Sequence, residues 1–370
     1  MIPVFEPVID DDDIEAVVAA LRRGEISGTF GKTIGQFEEA FAAYCGCRYG
    51  IAVTSGTTAL QLAVAAAGIG PGDEVLVSAC TNIATALAVV HNNAIPVPVD
   101  SEGVTWNLNL DLIEALITSR TRAMIPVHVY GHPVDMPRLM QMARRHHLVV
   151  IEDCAEAHGA TSRGKKVGSF GDMACFSFYA NKVITTGEGG MVVTNDPSLA
   201  DRLRLLRNLG FTRPRFRHEV AGYNFRMTGL QAAMGLAQLK KIDRIIAEKR
   251  RVAHCYTRYL TDVPGLQLPA ELDWAFNVYW VYALVVKEEY GLPRDRLARI
   301  LEGRGIETRT FFCPMNQQPC LASRPGFRAV PCPVADRLWE QGLYLPSSPT
   351  LSEETIQGIA ACIRAAPAEG

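Results

Sequence analysis

From residue 50 onward the apolar positions fall into short β-branched runs that alternate with helix-periodic ones. GIAVTS is followed by TTALQLAVAAAG, EVLVSA by an alanine-rich stretch, IPVPVD by LDLIEALI and RAMIPVHVY by MPRLMQMARRHH; LVVIEDCA closes the series. A parallel strand pair needs a crossover long enough to hold a helix, so this rhythm predicts an α/β unit on a largely parallel sheet. After His158 the helical patterns stop, and MACFSFYA and GGMVVTND read as consecutive strands that extend the sheet.

Residues 228–260 keep an apolar stripe without proline, which predicts one long helix or two in tandem. From about residue 264 prolines separate strands such as VYWVYALVV from helical stretches around 294–303 and 352–364, as in a smaller α+β domain. The chain then divides into a large domain with its N-terminal segment, 1–250, and a small C-terminal domain, 251–370. The acids Asp10 to Asp13 suit the first turn of a helix, where the dipole favours negative charge.

At 370 residues, 48% hydrophobic and 21% charged, the chain can bury cores for both parts. Its 37 basic and 39 acidic side chains are scattered, which leaves no footprint for nucleic acid or a membrane surface and points to small molecules and other proteins as partners. MIPVFEPVIDDDD lacks the basic-then-apolar order of a secretory signal, and LQLAVAAAGIG is too short to span a bilayer; the expected location is cytoplasmic. Ten cysteines without a repeated CxxC pair fit buried thiols in a reducing compartment better than disulfides or a metal site.

Three segments can carry chemistry. TSGTTAL, Thr54 to Leu60, follows a strand and opens a helix, so its backbone amides could cradle a phosphate, though the same residues also simply cap helices. Glu152 and Asp153 end a buried strand, where open α/β sheets present ligand-binding groups and where an aspartate also caps turns. Lys182, in FSFYANKVITTGEGGMVV, stands between an aromatic strand and a glycine-rich one. It is either a solvated strand-end charge or an amine desolvated enough to act as a nucleophile. Lys165 and Lys166 read as a solvated turn. A phosphate cradle, a carboxylate and a lysine amine together match the needs of pyridoxal 5′-phosphate (PLP): an anion site, a partner for the pyridine nitrogen and an amine for covalent attachment.

With those residues in place the sequence resembles the DegT/StrS-type nucleotide-sugar aminotransferases, PLP enzymes of fold type I. The resemblance runs from EISGTFGKTIGQFEEAFAAYCG through SGTTALQLA, PGDEVLV, PVHVYG, IEDCAEAHGA and GSFGDMACFSFYANKVITTGEGGMVVTND to GYNFRMTGLQAA and TRTFFCPM. Asp153 to Asp196 is its most specific block. It implies a large domain with a mostly parallel mixed central sheet flanked by helices, plus the smaller α+β domain. Within the family the likeness is nearest to members that make GDP-perosamine by aminating C4 of GDP-4-keto-6-deoxy-D-mannose, with L-glutamate as donor.

By position the resemblance implies that Lys182 holds the cofactor covalently and shuttles protons, and that Asp153 pairs with the pyridine nitrogen. Glu156 falls near the ring hydroxyl, while Ser177 with the backbone of Gly56 and Thr57 holds the phosphate. Asn224 corresponds to an asparagine given to the phosphate by a neighbouring subunit, which implies a homodimer with shared sites. Asn82 stands where the family usually stacks an aromatic residue on the ring, and Asn316 where relatives often carry histidine on the sugar side. With Arg226 they are candidate ring or substrate contacts, whereas His128 fits a satisfied strand-end histidine. Lysine at 182 argues against the family's dehydratase branch, which carries histidine there. Another keto sugar, a cyclitol ketone, or a PLP-binding module without turnover are the alternatives.

Overall fold

The computed structural model, which describes residues 1–214, 216–324 and 326–368, is organised around a seven-stranded sheet. Five of its strands are β1 (Tyr49–Val53), β2 (Glu74–Ser78), β3 (Ile95–Val99), β4 (Thr121–Ile125) and β5 (Val149–Asp153). A short hairpin follows, β6 (Thr161–Ser162) and β7 (Lys165–Lys166), and then β8 (Met173–Ser177) and β9 (Gly190–Thr194) rejoin the sheet. The order is β1-β9-β8-β5-β4-β2-β3, and β9 alone runs against its neighbours. MACFSFYA and GGMVVTND thus extend the sheet as the paired strands β8 and β9, placed between β5 and β1.

Successive residues of a strand face opposite sides, and here both sides are apolar. Leu76, Met124 and Val150 join one core cluster, while Val75, Val77, Ala123, Ile125 and Ile151 join another. Pro96 and Pro98, which lack the N–H a ladder needs, are accommodated because β3 is an edge strand. Helices α1 (Asp11–Arg22), α2 (Thr33–Cys45), α3 (Gly56–Ala66), α4 (Ala84–Val90), α5 (Ile113–Leu116), α6 (Met136–His146) and α7 (Pro197–Arg207) alternate with the strands. In α1 the acids of the first turn have a second use: Asp10 and Asp13 take the ammonium of Lys241 at 2.6 and 2.5 Å.

The long helical stretch is two helices, α8 (Gly229–Lys240) and α9 (Ile242–Leu260), broken at Lys241. The division at 250/251 falls within α9. Its first half gives Ile242, Ile245 and Ile246 to the core under the sheet, and its second gives Val252, Tyr256 and Leu260 to a separate core. That second core is closed by β12 (Tyr282–Val286), β14 (Gly342–Leu345), α10 (Arg294–Gly303) and α11 (Glu353–Ala365). β10 (Leu266–Gln267) and β13 (Arg309–Thr310) complete its sheet, and β11 (Ala275–Phe276) pairs with β6. Among the described residues no helix is long and apolar enough to cross a membrane. All ten cysteines are free.

Lys165 and Lys166 follow the exposed turn of the β6–β7 hairpin, Lys165 exposed and Lys166 half-buried. Lys166 Nζ donates to the Tyr44 carbonyl at 3.0 Å and lies 3.2 Å from the centroid of that ring; Lys165 Nζ donates to the Ser169 carbonyl at 2.8 Å. Long aliphatic stems let both cations cover apolar surface while their heads find carbonyls and π faces.

Candidate active site

The strand ends and one helix start converge on a cavity of about 300 Å³ lined by Ser55, Gly56, Thr57, Asn82, Asp153, Glu156, Ser177 and Lys182. Asp153 ends β5, Ser177 ends the adjacent β8, and Gly56 and Thr57 open α3 directly after β1, which lies one strand further across the sheet, beyond β9, so three strand ends aim at one point. This is the carboxyl edge, where open α/β sheets bind ligands.

The start of α3 fits an anion. Ser55 Oγ accepts the Thr58 amide at 3.1 Å, and the amides of Gly56 and Thr57 belong to the turn that has no intrahelical acceptors for them. A Cβ at Gly56 would lie 2.6 Å from the Cβ of Ser177, so only glycine lets the helix start and β8 approach this closely. Across the same junction a Cβ at Gly190 would meet the Ser55 carbonyl oxygen at 2.3 Å.

Asp153 is buried, accepting from Thr85 Oγ1 at 2.8 Å and from the Ala155 amide at 3.1 Å. Burial raises its pKa against the pull of those two donors and of the Lys182 charge. No cationic side chain forms a salt bridge with it among the described residues, so its carboxylate is short of a positive partner. Glu156 is also buried and accepts the Tyr130 amide at 2.8 Å; burial pushes its carboxyl up to about 7, opposed by Lys182 and that amide. Tyr130 makes this contact from a left-handed conformation, φ 54°.

Lys182 lies in the loop between β8 and β9. Its Nζ is 3.9 Å from the centroid of the Trp280 ring, and enclosure lowers its pKa while Glu156 and Asp153 raise it. Among the described lining residues it is the only cation, beside the carboxylates of Asp153, Glu156 and Glu188. An anion bound here is therefore held mainly by neutral donors and a helix dipole.

Trp280, Phe312 and Tyr344 also line the cavity, and sequence reasoning missed all three, as it missed Thr85. Asn82 lines it too, with its Oδ1 accepting the Ala84 amide at 3.0 Å at the start of α4. Three predicted residues do not line it. Asn224 is exposed, bridged through its backbone to Asn208; Arg226 donates to Asn208 Oδ1 at 2.8 Å; Asn316 donates to Asp336 Oδ1 at 3.1 Å. His128 is held structurally, since its Nδ1 accepts the Val134 amide at 3.0 Å and its Nε2 faces Glu152 at 3.3 Å. Glu152 is itself saturated by the amides of Gly168, Phe170 and Gly171.

Comparison with known proteins gives a consistent result. A profile of the DegT/DnrJ/EryC1/StrS aminotransferase family matches residues 7–364. GDP-perosamine synthase of Caulobacter vibrioides is 43% identical over 364 residues, covering 98% of this chain and 97% of that one. GDP-perosamine synthase of Escherichia coli O157:H7 is 41% identical over 356 residues, 96% and 95% of the two chains. The crystal structure of DesV from S. venezuelae, in complex with a ketimine intermediate, superposes with a TM-score of 0.88 at 38% identity, covering 95% of this chain and 93% of that one.

Proposed function

The chain belongs to the DegT/DnrJ/EryC1/StrS aminotransferase family and is a nucleotide-sugar aminotransferase; from that premise we propose that it carries the amino group of L-glutamate to C4 of GDP-4-keto-6-deoxy-D-mannose. Members of the family are PLP enzymes. The likeness to two GDP-perosamine synthases over nearly the whole chain supports this choice of sugar and nucleotide.

The residues of the cavity suit PLP. Asp153, buried and short of a cationic partner, is the carboxylate a protonated pyridine nitrogen requires. The amides of Gly56 and Thr57, with the Ser177 hydroxyl, form a neutral donor set for the phosphate, in a space that a Cβ at Gly56 would fill. Glu156 stands beside them as the partner of the ring hydroxyl, and Asn82 as a contact to the ring. When bound, PLP supplies an electron sink for the carbanion of both half-reactions.

The work of the chain is then positional and protonic. Lys182, with its amine partly desolvated under Trp280, is available in neutral form to bind the cofactor covalently. Once released it holds or delivers a proton at Nζ, with Glu156 and Asp153 stabilising its charged state. Trp280, Phe312 and Tyr344 reduce water at the reacting centre.

Asn224 cannot serve the cavity of its own chain as a lining residue, so its part in phosphate binding is assigned to a homodimer in which each copy completes the other's site. A surface hollow beside it is in keeping with this: Asn208, its backbone partner, lines that hollow with Thr29, Leu209, Phe211 and Arg226. A cytoplasmic location is in keeping with ten free cysteines.

The observation that carries this reading is the meeting of Lys182, Asp153 and the start of α3 in one cavity. The test is incubation of the protein with L-glutamate and a panel of ketones: GDP-4-keto-6-deoxy-D-mannose, other nucleotide-linked 3-keto and 4-keto sugars, and a cyclitol ketone. Product mass should show amination of the first, abolished in Lys182→Ala; preferential amination of another ketone would replace the substrate assignment.

A further inference from the structure

Lys249, on α9, is 2% exposed and has no carboxylate within ion-pair reach among the described residues. Its Nζ donates to the carbonyl oxygens of Trp280 at 2.9 Å and Ser347 at 3.2 Å, and lies 5.2 Å from the centroid of the Phe5 ring. A lysine in such surroundings is costly as a cation, and burial pulls its amine down to about 7. An apolar side chain would fill the same space without that cost, but it would leave the two carbonyls without a donor.

The carbonyl of Trp280 matters because of where the rest of the residue goes. Its backbone amide donates to the Tyr130 carbonyl at 2.9 Å, its indole Nε1 donates to the Asn181 carbonyl at 2.6 Å, and its ring faces the Lys182 amine. Asn181 is the residue immediately before Lys182. Trp280 therefore links the lysine-bearing loop to the segment that also presents the Tyr130 amide to Glu156. Lys249 is the donor that fixes the remaining polar group of this residue, and it joins it to Ser347, two residues past the end of β14.

We propose that Lys249 is a positioning residue for the reaction: by holding the Trp280 carbonyl it keeps the indole over Lys182 and so keeps that amine desolvated. It touches neither cofactor nor substrate and acts through Trp280. The inference rests on the reading of Lys182 as the reactive amine.

The test reads Lys182 directly in the full-length chain stripped of cofactor, so it is separate from whether the protein transaminates. Competitive labelling with acetic anhydride across a pH series, quantified on the Lys182 peptide by mass spectrometry, gives the midpoint of the amine. Lys249→Met, matched in length and apolar, should loosen the indole, admit water and raise that midpoint, so that labelling near pH 8 falls about threefold, the effect of half a unit. In a Trp280→Leu background the same substitution should add nothing further. A folded Lys249→Met protein with an unchanged Lys182 midpoint would overturn the proposal, and so would an equal effect persisting without the indole. Should the methionine variant fail to fold, Lys249→Gln is read by the same two criteria.

Discussion

Thr85 Oγ1 donates a 2.8 Å hydrogen bond to Asp153 Oδ2, tying the first turn of α4 to the end of β5. The carboxylate is buried, and this hydroxyl is the first of the groups that hold its charged form against desolvation. Thr85→Val keeps the shape and removes the donor. Hydrogen bonds to buried charges contribute roughly 1.5 kcal/mol or more, so the variant should bind PLP about tenfold more weakly. Equilibrium titration of the stripped protein with PLP checks this, and an unchanged affinity would remove Asp153 from the cofactor's contacts.

Glu156 gives a pH-dependent signature. Between its ordinary 4.5 and about 7 the folded chain binds more of this proton than the unfolded chain, so the stability due to this group declines as pH rises through that window. Glu156→Gln carries no such proton. The melting temperature of the stripped variant should exceed that of the parent by a margin that grows from about pH 5 to about pH 8. Comparing the two proteins cancels His132 and Lys249, whose burial shifts their titration in the opposite sense. A margin that stays constant with pH would mean that Glu156 titrates normally.

The phosphate cradle is tested by its glycine. Gly56→Ala sets a methyl 2.6 Å from the Ser177 Cβ, and neither a helix start nor a strand end yields cheaply. Overpacking of this kind costs about 1–3 kcal/mol, which predicts a lowered melting temperature. The sharper readout is selectivity: the preference for PLP over pyridoxal, which lacks the phosphate, should shrink by about tenfold or more as donor geometry is lost. Equal losses for both ligands would move the phosphate elsewhere.

How much of this was legible in the sequence follows from chain distance. Asp153, Ser177 and the Ser55 to Thr57 turn lie at the ends of elements whose alternation announces a parallel sheet, such a sheet gathers those ends on one edge, and Lys182 stands in the loop that leaves β8 at that edge. Trp280, Phe312 and Tyr344 come from the C-terminal third, where the pattern shows a strand and prolines but not which face meets the cavity. Thr85 stands three residues after Asn82, in a segment read only for the missing aromatic. Lys249 was hidden for a related reason: in a charged stretch of an amphipathic helix, nothing local distinguishes the one lysine that turns inward.

Asn224 supports a prediction that a single chain cannot satisfy. It is exposed and absent from the cavity that holds Lys182, so a site completed across a two-fold axis draws these two residues from different copies. Lys182→Ala and Asn224→Ala should each abolish or sharply lower activity alone. When the two are mixed under exchange conditions, half of the dimers are hybrids, and in each hybrid one site carries both defects while the other carries neither. Activity should therefore recover to about one quarter of the parent value, assuming random reassortment and independent sites. Steady-state assay of the mixture, with the tagged hybrid purified as a check, decides the matter. If hybrids form and stay inactive, Asn224 serves its own chain or none, and the shared-site dimer fails with it.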